Sequence, residues 1–231
     1  MRPKTHPGTS EPRTCSIAPR TPGGVVTPAQ LEAVAEVARR FAVPMLKLMS
    51  SQRVLLMGVP EDEAGAVLAA LEAAGAPGEI ARGHGGSLVQ ACPGSQGCPN
   101  GQQDTIAMAG RVEALLAGFS VEAQLPAKVR AGLSGCPRCC GESYVRDVGL
   151  VGRKDGWTLA FGGNAGARPR AADELATGLT EDAALELLER TLRHYAANAR
   201  KNQRTARFVE GCGIEALREA LGLGGAGRTD E

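Results

Sequence analysis

Residues 28–41, PAQLEAVAEVARRF, place Leu31, Val34, Ala35, Ala38 and Phe41 at helical spacing. Thr27 stands before Pro28, an N-cap followed by proline at the first helical position, so the pattern predicts a helix starting there. The next stretch, PMLKLMSSQRVLLMGV, is apolar except for Lys47 and the SSQR break. Its near-continuous hydrophobicity predicts a buried strand pair or one long bent strand. PEDEAGAVLAALEAAG then predicts a second helix, with acids in its first turn and Gly75 as its stop.

Further on, GEIARGHGGS is a glycine-rich linker and QDTIAMAGRVEALLAG a helix ending at Gly118. KVRAGLSG predicts a short strand. YVRDVGLVG and GWTLAFGG predict a hairpin turning at Lys154-Asp155-Gly156. From Thr180 the pattern returns to helical spacing over TEDAALELLERTLRHYAANAR, followed by a shorter helix in GIEALREALG. Residues 1–21, rich in Pro, Thr and Arg, predict a flexible N-terminal arm, and residues 221–231 a flexible tail. Between them lie an α+β unit of ferredoxin-like character over residues 22–78 and a larger α/β domain over residues 84–220.

Composition narrows the function classes. Of 231 residues 43% are hydrophobic and 22% charged, with a formal net charge of +1. A nucleic-acid binder shows a strong basic bias, which is missing here. No apolar run reaches the roughly 18–20 residues that span a bilayer, and the N-terminal arm has no apolar core of the kind an export signal needs. The expectation is a cytoplasmic protein that meets neither nucleic acid nor membrane. In a reducing compartment cysteines serve metals or catalysis more often than disulfides, and the odd count of seven fits a ligand set with spares.

Four of those cysteines form two close pairs: Cys92 and Cys98 in CPGSQGC, Cys136 and Cys140 in CPRCC. Four thiolates from two loops can hold one [4Fe–4S] cluster, one soft ligand to each iron. A structural zinc site is the competing chemistry, but its cysteine pairs sit two to four residues apart and C-x5-C is wider. Spacing alone does not separate Cys140 from its neighbour Cys139. Strand alternation in LPAKVRAGLSGC puts Val129, Ala131 and Leu133 on one face and Lys128 and Arg130 on the other. Two cations thus point together from the strand that runs into Cys136. His84, in RGHGGS, is a candidate proton donor.

In sequence order, PGGVVT, KLMSSQRVLLMGV, CPGSQGC, SGCPRCC, DVGLVG and GGNAGARPR resemble the siroheme-containing nitrite and sulfite reductases, and the size resembles the small single-half assimilatory-type sulfite reductases. The resemblance covers about residues 20–220. It implies a ferredoxin-like half domain followed by an α/β nitrite/sulfite reductase [4Fe–4S]–siroheme domain, α+β overall. It implies that Cys92, Cys98, Cys136 and Cys140 hold the cluster, that Cys140 also bridges to the siroheme iron, and that the slot of Cys139 is not a ligand. Siroheme is rich in carboxylates, so its pocket needs cations and amide donors. The resemblance assigns these to Lys47, Gln52, Arg53, Lys128, Arg130, Gly163, Asn164, Gly166 and Arg168, with Lys128 and Arg130 also meeting the substrate.

The implied activity is six-electron reduction of a small oxyanion, sulfite to sulfide or nitrite to ammonia. No GxGxxG follows a strand, so electrons come from an external donor such as a ferredoxin or a reductase subunit. Two features depart from the family pattern: Pro99-Asn100 after the second cysteine, and Gln90 where relatives carry a cation. They leave open an alternative, a non-catalytic iron–sulfur electron-transfer or cofactor-binding protein. A homodimer would supply the wall that a second half provides in larger relatives.

Overall fold

The structure is a computed structural model that describes residues 13–81, 88–122 and 125–223. The described residues fold as two compact units, 13–21 with 26–81 and 22–25 with 88–122 and 125–223. His84 lies outside the described residues.

The first unit is a four-stranded antiparallel sheet backed by two helices. Its elements are β1 (Thr14–Pro19), α1 (Pro28–Arg40), β2 (Met45–Leu48), β3 (Val54–Pro60), α2 (Ala64–Ala73) and β4 (Gly78–Ile80), in the sheet order β2-β3-β1-β4. Helix α1 starts where the pattern placed it. Thr27 Oγ1 accepts the Gln30 N–H at 3.2 Å, and Gln30 Oε1 accepts the Thr27 N–H at 2.9 Å, a reciprocal capping box. Ile17, Leu56, Val67 and Leu71 are fully buried between sheet and helices.

Two expectations fail here. Thr14–Pro19 is no arm: it is an inner strand, paired with β3 on one side and β4 on the other. Its alternation is short and mixed with polar residues, which hid it. The apolar stretch does make a strand pair, but only β3 reaches the core, through Leu56 and Val59; every residue of β2 is exposed, Leu48 at 78%. An edge strand has one paired side, so apolar character alone did not determine its burial.

The second unit is a five-stranded mixed sheet in the order β5-β6-β7-β8-β9. In chain order its elements are β5 (Leu88–Ala91), the single turn α3 (Gly94–Gly97), α4 (Thr105–Glu122), β6 (Arg130–Ser134), β7 (Val148–Arg153), β8 (Gly156–Phe161), β9 (Asp173–Leu179), α5 (Glu181–Asn198), α6 (Thr205–Cys212) and α7 (Ile214–Ala220). Strands β5, β6 and β7 run parallel, and β8 and β9 antiparallel. The hairpin turns at Lys154 and Asp155 as the sequence predicts. Strands β5 and β9 and helix α6 were missed: β5 is four residues long, and α6 follows α5 after a short break.

The two faces of this sheet differ, and the difference positions the site. Val129, Ala131, Leu133, Leu150, Trp157 and Leu159 pack with α4 and α5 in one apolar core. On the opposite face Gly132 of β6 pairs with Gly149 of β7. A Cβ on Gly132 would lie 2.5 Å from the Gly141 carbonyl and 2.9 Å from Arg146 Cγ, and one on Gly149 would strike the Ser143 carbonyl. The side-by-side glycines form a shelf on which residues 141–146 lie directly against sheet backbone.

Candidate metal and anion site

Both cysteine loops leave the carboxyl ends of parallel strands. Cys92 follows β5, and Cys136 follows β6 after Gly135. Backbone contacts join the loops. The Cys92 N–H donates to the Leu133 carbonyl at 3.0 Å, and the Gln102 N–H to the Gly135 carbonyl at 2.6 Å. Gly135 approaches Gly94 so closely that a Cβ would stand 2.7 Å from its Cα. Thr105, at the start of α4, donates its hydroxyl to the Cys92 carbonyl at 2.5 Å. Asp104 caps the same helix, accepting the Ile106 and Ala107 N–H groups at 3.0 Å each. The Gln96 amide and these caps hold its carboxyl below the ordinary range.

None of the seven cysteines forms a disulfide. Cys136 is buried, Cys92 and Cys98 are half-buried, and Cys140 is exposed. The Gly135 N–H donates to Cys92 Sγ at 3.1 Å, so a sulfur of the first loop already faces backbone of the second. Cys139 differs from its neighbour. It adopts φ 59° and its Sγ accepts the Tyr144 N–H at 3.4 Å, within its own loop. Among the described residues no three His, Cys, Asp or Glu side chains gather tightly enough to hold a single metal ion. A four-iron cluster asks for something else, one thiolate per iron around a common volume. Two interlocked loops, with the Gly135 N–H aimed at Cys92 Sγ, fit that requirement, and Cys92, Cys98, Cys136 and Cys140 are the residues that would hold it.

Lys128 precedes β6, and Arg130 opens it on the face opposite buried Val129 and Ala131. The Arg130 backbone N–H donates to Asp147 Oδ2 at 2.9 Å, but its side-chain Nε is buried without a hydrogen-bond partner. Burial lowers the Arg130 pKa first, then the nearby charges of Arg146 and Arg204, with Asp147 opposing. Arg146 was not foreseen. Its stem lies over Gly132.

The glycine–asparagine loop behaves differently from expectation. The Gly162 N–H donates to the Asp147 carbonyl at 2.9 Å, and Gly163 fits because a Cβ there would strike the Tyr144 and Arg146 carbonyls. Asn164 keeps its amide within the loop, donating to the Arg168 carbonyl at 2.7 Å and accepting the Gly166 N–H at 3.1 Å. Its side chain staples the turn, and Arg168 is exposed at the tip. Arg170 is tied to the Gly162 carbonyl at 2.8 Å and to Asp173.

Lys47, Gln52 and Arg53 belong to the first unit. Lys47 is exposed on β2. Gln52 takes φ 60° in the β2–β3 turn, where its carbonyl accepts the Thr21 hydroxyl at 3.1 Å. Arg53 already has a carboxylate, Glu79, at 2.9 Å.

Comparison with known proteins gives the family. Residues 86–224 match the nitrite and sulphite reductase 4Fe-4S domain, and residues 7–74 the nitrite/sulfite reductase ferredoxin-like half domain. The chain belongs to the nitrite and sulfite reductase family. The cofactors of that family are a [4Fe–4S] cluster and siroheme. The ferredoxin-like match begins well before residue 22, in accord with β1 being part of that half domain. An assimilatory-type sulfite reductase of Nitratidesulfovibrio vulgaris is 43% identical over 90% of this chain and 92% of its own length. A nitrite reductase [NAD(P)H] of Bacillus subtilis is 32% identical over 94% of this chain, which spans only 26% of that protein. Of solved structures, dissimilatory sulfite reductase I superposes with TM-score 0.77 at 12% identity, covering 94% of this chain and 71% of that one. The Mycobacterium tuberculosis NirA protein gives 0.72 at 21% identity, covering 88% and 39%. Both show the shared fold. No helix among the described residues is long and apolar enough to cross a membrane.

Proposed function

We propose that this protein reduces a small oxyanion by six electrons, sulfite to sulfide or nitrite to ammonia, with sulfite the first substrate to test. The observation that carries this reading is the convergence of both cysteine loops at one end of a sheet face that also carries buried, incompletely paired arginines. Cys92, Cys98 and Cys136 would hold the cluster, with Cys140 as the thiolate shared with siroheme. Cys139 is set aside because the family pattern leaves its slot without a ligand. When bound, the pair of cofactors would supply the electrons for the reduction, one at a time. Lys128 and Arg130 neutralise the anion and stabilise charge developing on its oxygens. Electrons come from a separate protein donor, a ferredoxin or a reductase subunit. The near full-length similarity to an assimilatory-type sulfite reductase supports sulfite; the nitrite reductases keep nitrite in play.

One relative favours the second reading, a non-catalytic electron-transfer protein. The assimilatory nitrate reductase electron transfer subunit of Bacillus subtilis is 25% identical over 93% of this chain, which spans 26% of that protein. Turnover of sulfite and nitrite with a reduced viologen dye as donor separates the two. The enzyme turns over one or both anions; the electron-transfer protein turns over neither. Replacing Lys128 and Arg130 together by alanine should lower turnover at least tenfold, about the effect of losing one charge-assisted contact. Both cofactors should stay bound; turnover equal to the parent's would remove these residues from the reaction.

A further inference from the structure

Arg146 lies on the glycine shelf with only 10% of its side chain exposed. Its Nη2 donates to Gln90 Oε1 at 2.8 Å and to Glu142, while its Nε is buried with no hydrogen-bond partner. Arg130 Nε is in the same condition. Both belong to one sheet face: Gln90 pairs with Gly132, Arg130 lies two residues before Gly132, and the Arg146 stem crosses that glycine. Cys92, two residues after Gln90, continues the line toward the cysteine loops.

Charge does not balance within this group. Asp147 is consumed by its own partners: Arg204 Nη2 at 2.6 Å and Nε at 3.2 Å, the Thr205 hydroxyl at 2.6 Å and the Arg130 backbone N–H at 2.9 Å. Three guanidiniums, of Arg130, Arg146 and Arg204, face two carboxylates, of Asp147 and Glu142; the Arg204 and Glu142 side chains are 42% and 41% exposed, so solvent screens part of that excess, whereas the Nε atoms of Arg130 and Arg146 are buried without a partner. A buried donor on a charged group without an acceptor is costly, and an unbalanced buried cation more so. A fold keeps such groups where an anion satisfies them.

We propose that Arg130 and Arg146 together form a two-guanidinium site for a carboxylate or small oxyanion, with Gln90 and Glu142 holding Arg146 in position. Gln90 is then not a loss of charge at its position but the anchor of a cation delivered from residue 146. The identity of the anion, substrate or cofactor carboxylate, rests on the proposed function; the existence of the site does not.

The test compares the parent with Arg146→Gln, Arg146→Lys and Glu142→Gln in two forms. Cofactor-free protein is titrated with sulfite, nitrite and a polycarboxylate porphyrin, read by the melting midpoint. Loaded protein is read by siroheme per chain and by the anion-induced shift of its absorption bands. Arg146→Gln should weaken anion binding about 10- to 100-fold, the worth of one charge-assisted contact. Arg146→Lys, which keeps the charge and loses the Nε donor, should fall several-fold. Glu142→Gln, which keeps an acceptor oxygen to hold Arg146 and removes the competing negative charge, should bind at least as tightly as the parent. Falling siroheme content with unchanged sulfite affinity in the loaded fraction names the cofactor carboxylate. Constant loading with weaker sulfite or nitrite binding names the substrate. Unchanged loading and unchanged affinity in Arg146→Gln, whatever its melting midpoint, would overturn the proposal; so would parent-like affinity in Arg146→Lys if the glutamine variant does not fold. A parent that takes up no siroheme would instead refute the proposed function, and the cofactor-free titration would still decide the site.

Discussion

Arg53 in the first unit and Arg146 in the second are both largely buried, with side chains 14% and 10% exposed, yet they differ in kind. Arg53 meets a single carboxylate at 2.9 Å, and no side-chain atom of it is left buried and bare. Arg146 has a carboxylate and an amide and still keeps a bare Nε, beside Arg130 with the same deficit. Burial therefore does not distinguish a structural arginine from one that awaits a ligand. The count of unsatisfied donors and the local charge balance do.

The contrast can be broken most severely at Asp147, the carboxylate that keeps the arginine group from being still more positive. Asp147→Ala strips Arg204, Thr205 and the Arg130 N–H of their acceptor and should cost about 3 kcal/mol, the scale of a broken buried pair. Urea denaturation measures it. Next comes Gly132→Ala, whose methyl must displace the Gly141 carbonyl and the Arg146 stem, at about 1–3 kcal/mol. It should weaken anion binding as well, because Arg146 moves. Glu79→Gln tests the other half of the contrast: losing the partner of Arg53 should cost no more than about 1 kcal/mol, since Glu79 is partly exposed, and should leave anion binding unchanged.

The smallest effect concerns pH. The Tyr144 hydroxyl is pushed up to about 12, first by burial and then by its hydrogen bond to Glu174. The unfolded phenol titrates near 10, so the folded state favours the neutral form. Stability from this group is complete below pH about 10 and falls as pH rises from there to about 12. Tyr144→Phe should flatten that part of a stability–pH curve; an unchanged slope would mean that the Tyr144–Glu174 contact is not maintained in solution.

Much of this molecule is legible in the sequence, for reasons visible at particular residues. Helix α1 declares itself through Thr27 and Pro28, because capping is local chemistry. The β7–β8 hairpin does so through Asp155-Gly156, and the cysteine motifs through spacing that no turn or core requires. What escaped was set by distant partners. Strand β1 earns its central place from β3 and β4, not from its own pattern. Exposure of β2 follows from its edge position, which apolar character cannot report. Asn164 looked like a ligand donor because glycines surround it, whereas its amide is used by the turn those glycines make. Arg146 was invisible because its role depends on Gly132 and Gly149, two glycines on neighbouring strands that alternate with core residues. That alternation was in AGLSG and DVGLVG, and it could have marked a face built for close packing of backbone.

The most direct measurement is the anaerobic absorption spectrum of protein produced with siroheme available, with iron and zinc determined on the same sample and sulfite or nitrite then added under reduction. The account predicts siroheme bands, about five irons per chain (one in siroheme and four in the cluster), negligible zinc, and bands that shift with at least one anion. Stoichiometric zinc with no cluster, or siroheme bands indifferent to both anions, would contradict it.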